Sequence, residues 1–166
     1  ERIGVAGLST SAVAVGGASA STDGTWEYDG STWTAGGDYT HSGSNIGISG
    51  IQTAALAEGG YGGTTAAATY NGTAWTSITA TSTAREEHGW STKGTTTDTM
   101  AFGSPANTEK WDGSSWTEIA NVSTARTAGF SVGTTSAAFY AGGNPGGITG
   151  TEEFDHSIAA VTFTSS

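Results

Sequence analysis

The sequence predicts an all-β chain built from four copies of one unit, and three observations lead to that class. The first is composition: 27 Gly, 30 Thr and 20 Ser make up nearly half of the 166 residues. Taken alone, that composition is also the signature of a flexible linker. Six Trp, five Tyr and five Phe oppose the linker reading, because disordered segments are poor in aromatics. Gly and β-branched Thr are poor helix formers, whereas Thr and the aromatics suit a pleated strand. The other two observations are landmarks that recur in step along the chain.

In the first landmark an aromatic residue is followed by Asp or Asn, Gly, two small residues, Trp and Thr. It is read in Tyr28-Asp29-Gly30-Ser31-Thr32-Trp33-Thr34, Tyr70-Asn71-Gly72-Thr73-Ala74-Trp75-Thr76 and Trp111-Asp112-Gly113-Ser114-Ser115-Trp116-Thr117. The copies start 42 and 41 residues apart. A worn fourth copy, Phe154-Asp155-His156-Ser157-Ile158-Ala159, follows 43 residues later without the Gly and the Trp. The second landmark is an apolar run closed by glycines: Ala12 to Val15 before Gly16-Gly17, Ala54 to Ala57 before Gly59-Gly60, and Ala137 to Ala141 before Gly142-Gly143. In the third unit Met100-Ala101-Phe102-Gly103-Ser104 keeps one glycine of the pair.

Each unit reads as four strands, which in the third are 87–92, 97–102, 107–111 and 115–119. The Asp-Gly and Asn-Gly steps fit tight hairpin turns, since both residue types tolerate positive φ. The diglycine ends a buried strand where the backbone must turn or approach a neighbour closely. The aromatic and the Trp that flank each turn fall on adjacent strands. They are expected to pack between neighbouring units, because one unit cannot bury its own faces.

With these landmarks in place the chain resembles the kelch repeat family. Arg2-Ile3-Gly4-Val5, then Ala12 to Gly17, Tyr28 and Trp33 follow the kelch order, as do Arg126, Gly142-Gly143 and Phe154. The resemblance implies a β-propeller of four-stranded blades at about 1–40, 41–83, 84–124 and 125–166, forming a single domain over 1–166. The chain departs from the family in its Thr, Ser, Ala and Gly content. It also lacks the arginine in the second unit, where Tyr39-Thr40-His41-Ser42 stands. Its style is similar to kelch-like repeats of phage and environmental microbial structural proteins. Four blades can close alone, pair with a second copy, or belong to a longer array, and the worn last unit favours a closed four-bladed ring.

Charge and composition exclude several roles. The formal net charge is −10, and only Arg2, Arg85, Arg126, Lys93 and Lys110 are basic, no two of them adjacent. Sequence-independent binding to nucleic acid or anionic lipid needs clustered cations, so neither partner is expected. Without cysteine there are no disulfides, thiolate metal sites or thiol nucleophiles. No apolar stretch approaches the roughly 18 residues of a membrane helix. Glu1-Arg2-Ile3-Gly4 shows neither an initiator Met nor a signal-peptide pattern, which reads as a cleaved start or a cut from a longer chain.

No catalytic residues, metal ligands or cofactor are expected. Kelch propellers that resemble galactose oxidase need a Cys-crosslinked Tyr, and this chain has no Cys. The Asp box of sialidases is one residue longer than Asp29-Gly30-Ser31-Thr32-Trp33, so the Asp-Gly step reads as a turn. His41 and His88 fall at roughly equivalent places in two units, and His156 lies in a fourth; none forms a close-spaced metal pair. Glu152-Glu153 reads as solvated loop charge. The motifs at Asn71-Gly72-Thr73 and Asn121-Val122-Ser123 match the glycosylation acceptor pattern.

Two groups stand out as candidates for binding. If Arg2, Arg85 and Arg126 each open an inner strand, a propeller collects them around one mouth of its channel, where guanidinium forks suit carboxylate partners. Glu86 and Glu87 follow Arg85 at that rim. Trp26, Trp90 and Tyr61 lie outside the repeated aromatic positions and are candidates for stacking on sugars. The expected role is a non-enzymatic structural or interaction module, extracellular or in a virion (tail, fibre or capsid decoration) or on a microbial surface. Its partners would be other protein subunits, with a homo-oligomer possible, or a surface glycan. The alternative is a carbohydrate-binding, lectin-like propeller.

Overall fold

A computed structural model describes residues 2–17, 23–41, 43–145, 150–155 and 160–163. Its sixteen strands form four antiparallel sheets of four, each a simple up-and-down meander, arranged as a four-bladed β-propeller. Blade 1 holds β1 (Gly4–Leu8), β2 (Ser11–Val15), β3 (Thr25–Tyr28) and β4 (Trp33–Ala35). Blade 2 holds β5 (Gly47–Ile51), β6 (Ala54–Glu58), β7 (Ala67–Tyr70) and β8 (Trp75–Ser77). Blade 3 holds β9 (Gly89–Trp90), β10 (Thr99–Phe102), β11 (Thr108–Trp111) and β12 (Trp116–Ile119). Blade 4 holds β13 (Phe130–Gly133), β14 (Ala138–Ala141), β15 (Thr151–Phe154) and β16 (Ala160–Phe163). Among the described residues no helix is long and apolar enough to cross a membrane.

The registers make the repeat literal. Gly4, Gly47, Gly89 and Phe130 pair with Val15, Glu58, Phe102 and Ala141, the residue before the glycine landmark in each unit. The inner strands follow one another, β1 on β5, β5 on β9 and β9 on β13. Backbone bonds stitch them at one rim: Asn45 N–H to Arg2 O (2.9 Å), Gly60 N–H to Arg85 O (2.9 Å), Ser104 N–H to Arg126 O (3.0 Å) and Ala128 N–H to Glu87 O (2.6 Å). Glycine is required where blades approach most closely. A Cβ on Gly47 would lie 2.5 Å from Glu58 Oε1 and 2.8 Å from His88 Nε2.

One local expectation is sharpened and one corrected. The Asp-Gly and Asn-Gly steps do lie in hairpin turns, each a four-residue loop with its glycine at positive φ. Tyr28 pairs directly with Trp33, which leaves residues 29–32 as the loop. Asp29 Oδ1 accepts the amides of Ser31 and Thr32 at 2.8 Å, and Asp112 and Asn71 repeat the arrangement, so the side chain closes the turn. The first strand of the third unit is shorter than 87–92. Ser91 Oγ accepts the Met100 amide (2.9 Å), and the Lys93 amide turns away to Gly133 O (2.8 Å), so the ladder stops early.

Each blade has a leading face, toward the blade before it, and a trailing face, toward the blade after it. The seam between blades 1 and 2 is apolar: Ala6, Val13 and Val15 meet Ile46, Ile48, Ala55, Ala57, Ala68, Tyr70 and Trp75. Between blades 3 and 4, Met100 and Phe102 meet Ala138, Tyr140 and Phe154, with Phe102 edge-on to Tyr140 at 5.3 Å. The seam between blades 2 and 3 adds a buried polar cluster to Leu56 and Trp111. There Glu58 Oε1 lies 2.5 Å from His88 Nε2, and Ser49, Ser91 and Thr99 bond one another. Ile3, Val5 and Trp33 on the leading face of blade 1 and Phe130 on the trailing face of blade 4 are exposed.

Candidate functional site

Arg85 and Arg126 occupy the same repeat position, and both turn into their own blades. Arg85 is fully buried; Nη1 donates to Gly103 O and Asn107 O, both 2.7 Å, and Nη2 meets Glu109 Oε2 at 3.0 Å. Arg126 Nη1 donates to Gly142 O (3.2 Å) and Gly150 O (2.8 Å), and Nη2 meets Glu152 Oε1 at 2.7 Å. Burial pushes the Glu109 carboxyl up, but bonds from the Ser82 amide and hydroxyl and from Arg85 overcome it and hold the carboxyl below its ordinary range. Neither guanidinium keeps a free fork for a partner. Sequence reasoning passed over Glu109 and read Glu152 as solvated loop charge, whereas Glu152 is fully buried on β15 against Arg126. The signal was a Glu on the third strand of both arginine-bearing units, and only there is it paired.

Arg2 is not their equivalent. It stands two residues before Gly4, whereas Arg85 and Arg126 stand four residues before Gly89 and Phe130. Its repeat partners are Asn45, Glu87 and Ala128, three residues with positive φ (59°, 49° and 55°) that carry the rim bonds. Arg2 is exposed, and its amide donates to Asn45 Oδ1 (3.0 Å). Glu87 contributes its carbonyl to this rim. Glu86 reaches back to the Gly62 amide of blade 2 (2.8 Å).

A cleft of about 620 Å³ opens on this rim, lined among others by Glu86, Pro105, Arg126, Thr127, Asn144 and Pro145. Of the five rim candidates it brings together Glu86 and Arg126. Arg2, Arg85 and Glu87 do not line it. Small residues and two prolines make up most of the rest of its lining, and Glu86 is the one carboxylate in it.

The three spare aromatics are in three different places. Trp26 is exposed on the leading face of blade 1, where it shares a hollow of about 250 Å³ with Ile3, Val5, Ala14 and Trp33. Tyr61 is exposed just past the diglycine of blade 2. Trp90 sits in the seam between blades 2 and 3, edge-on to His88 at 6.0 Å, with its Nε1 buried and unpartnered. The sequence missed Trp33 as a surface aromatic, because its copies Trp75 and Trp116 belong to seams, where their indole N–H groups bond Thr25 and Thr79 of the blade before.

The Glu58–His88 pair also escaped the sequence reading. Glu58 Oε2 and His88 Nδ1 are buried without a partner, and the Tyr39 and Ser44 hydroxyls share that fate. Burial, with the Glu58 charge second, pushes the Tyr39 phenol well above its ordinary range. His41 is not equivalent to His88. It packs edge-on to Tyr39 at 5.5 Å and meets Ser77 Oγ at 3.4 Å, so the two histidines approach no common site. His156 lies outside the described residues. Among the described residues no three His, Cys, Asp or Glu side chains converge as a metal site. The Asn71 side chain accepts backbone amides of its own loop, and Asn121 Oδ1 accepts the Thr108 amide of β11 at 2.9 Å.

Comparison with known proteins leaves the fold to speak for itself: no protein-family model matches the chain, and no curated protein is significantly similar to it.

Proposed function

We propose that the chain is a kelch-like, non-enzymatic structural and interaction module, exposed in a virion as part of a tail, fibre or capsid decoration, or on a microbial cell surface. The observation that carries this reading is where the reactive groups go. Arg85, Arg126, Glu109 and Glu152 are closed on one another inside blades, and Asp29 and Asp112 are closed on their own turns. What the surface offers instead is aromatic and aliphatic: Trp26, Trp33, Ile3, Val5, Leu8, Tyr61 and Phe130. Such a surface fits contact with other protein subunits. Mass spectrometry and immunogold labelling of purified particles and cell envelopes from the source culture test it. The chain is expected in the particle or envelope fraction; recovery only with soluble intracellular protein overturns the proposal.

A second reading, a carbohydrate-binding propeller, is favoured by one feature. Trp26 and Trp33 are both exposed and share one small hollow, the arrangement on which a sugar ring stacks. On a glycan array, binding that disappears in both Trp26→Ala and Trp33→Ala supports it, and an array without signal removes it.

A further inference from the structure

The seam between blades 1 and 2 shows what a leading face needs from its neighbour. On blade 2 the leading face is Ile46, Ile48, Tyr70 and Trp75, with exposures of 2, 1, 1 and 6%. Blade 1 covers it and supplies two hydrogen-bond acceptors. Trp75 Nε1 donates to Thr25 Oγ1 at 2.8 Å, and the Tyr70 hydroxyl donates to the Glu27 carboxylate. The ladder positions fix the equivalents on blade 1: Ile3, Val5, Tyr28 and Trp33. Here Ile3, Val5 and Trp33 are 49, 51 and 50% exposed. Neither the Tyr28 hydroxyl nor the Trp33 indole N–H has a hydrogen-bond partner among the described residues.

Blade 4 carries the matching acceptors. Thr25 pairs with Val15 and Glu27 with Val13; on blade 4 the same positions are Thr151, paired with Ala141, and Glu153, paired with Phe139. Blade 2 has Ala67 and Thr69 there, and blade 3 has Thr108 and Lys110. Only blades 1 and 4 therefore present the Thr and Glu that a Trp and a Tyr require. The trailing face of blade 4 is also apolar and open, with Phe130 65% exposed beside Phe139 at 6.0 Å. Within one molecule Ile3, Val5, Trp33 and Phe130 all remain about half exposed or more, so blade 4 does not cover them as blade 1 covers Ile48 and Trp75.

We propose that the trailing face of blade 4 of one copy docks on the leading face of blade 1 of a second copy, continuing the blade 1–2 seam between molecules. In it Trp33 Nε1–H donates to Thr151 and the Tyr28 hydroxyl donates to Glu153. The contact is heterologous, one face against a different face, so it builds either a closed ring or a chain of copies. Phe130 stands where the interior seams have glycine. Its ring meets Ile3 and Val5 of the second copy, and the inner end of this seam is wider than that of the blade 1–2 seam. The inference goes beyond the role proposed above and does not depend on it.

Sedimentation velocity over a range of concentrations tests the docking on the full chain. The wild type is expected to exceed the 16.5 kDa of one copy. Val5→Glu on one face and Glu153→Arg on the other are each expected to weaken association by about a hundredfold, as central contacts do. Both residues are exposed in the single chain, and circular dichroism is expected to show that both variants keep the wild-type sheet. Mixing the two variants is the decisive arm. Each keeps the face that the other lost, so a one-to-one complex returns, and Trp33 emission shifts to the blue. A wild type that stays a single copy at every concentration overturns the proposal. So does a Glu153→Arg variant that associates like the wild type, or a mixture that remains monomeric.

Discussion

Blades 1 and 2 solve the problem of holding sheets together differently from blades 3 and 4. In the first pair the lock lies between blades: an aliphatic wall closed by Tyr70 and Trp75, whose polar tips find acceptors across the seam. In the second pair much of the lock lies within each blade, where a buried arginine ties both ends of the loop between the second and third strands to a glutamate on the third strand. At that strand position blade 1 has Trp26 and blade 2 has Ala68, so the first pair has no ion-pair clasp. The two halves meet at the seam of Glu58 with His88. The difference teaches that one backbone repeat accepts an apolar seam alone or an apolar seam joined to buried ion pairs, and that, among the described residues, buried polar atoms without a partner gather at the junction.

The largest effect is expected from breaking a clasp. Arg85→Ala strands the Glu109 carboxylate and two carbonyls in the interior, a loss of about 3–5 kcal/mol in urea unfolding. An equal loss for Ala68→Glu, which offers blade 2 a carboxylate without an arginine, would sharpen the contrast. Trp75→Ala attacks the other kind of lock and is expected to cost about 3–4 kcal/mol, whereas Trp75→Phe, which gives up mainly the bond to Thr25, costs about 1 kcal/mol. If Trp75→Ala is nearly neutral, the first pair is not held by its seam.

The junction itself can be converted. Glu58 and His88 occupy the repeat positions that Val15 and Ile46 hold in the first seam. Glu58→Val or His88→Ile alone leaves a buried polar partner stranded and is expected to lower stability by about 2–4 kcal/mol. The double variant installs the apolar seam, and its stability is expected to fall within about 1 kcal/mol of wild type or above it. Additive losses in the double-mutant cycle would show that Glu58 and His88 are not coupled and would overturn this account of the junction.

The smallest effect belongs to the turns. Bonds from the Ser115 and Ser114 amides lower the Asp112 carboxyl to about 2 from its ordinary 3.8. Because the folded value is depressed, the contribution of this turn is present above pH 4 and is lost as pH falls toward 2. Asp112→Asn, which copies Asn71 of blade 2, is expected to flatten the dependence of Tm on pH across that window.

Much of this architecture is legible in the residues. The landmarks at Tyr28–Trp33 and Gly16-Gly17 report local chemistry, a side-chain-closed turn and a close backbone approach, and local chemistry is repeated wherever the motif is repeated. Strand order followed from the same units. The candidate surfaces were less legible. Arg85 and Trp33 are alike in their repeat context, each a residue in a recurring position. Yet one is buried against Glu109 while the other is exposed.

The sequence by itself determined the four units, their strands and their turns, since hydrophobic alternation, Asx turns and glycine positions act over a few residues. Only the tertiary structure decided which copies of a position are buried, which arginines find carboxylates, and which two faces remain uncovered. Those outcomes depend on what the neighbouring blade presents across the seam, at separations of 40 residues or more in the chain, as between Thr25 and Trp75. No single unit carries that information.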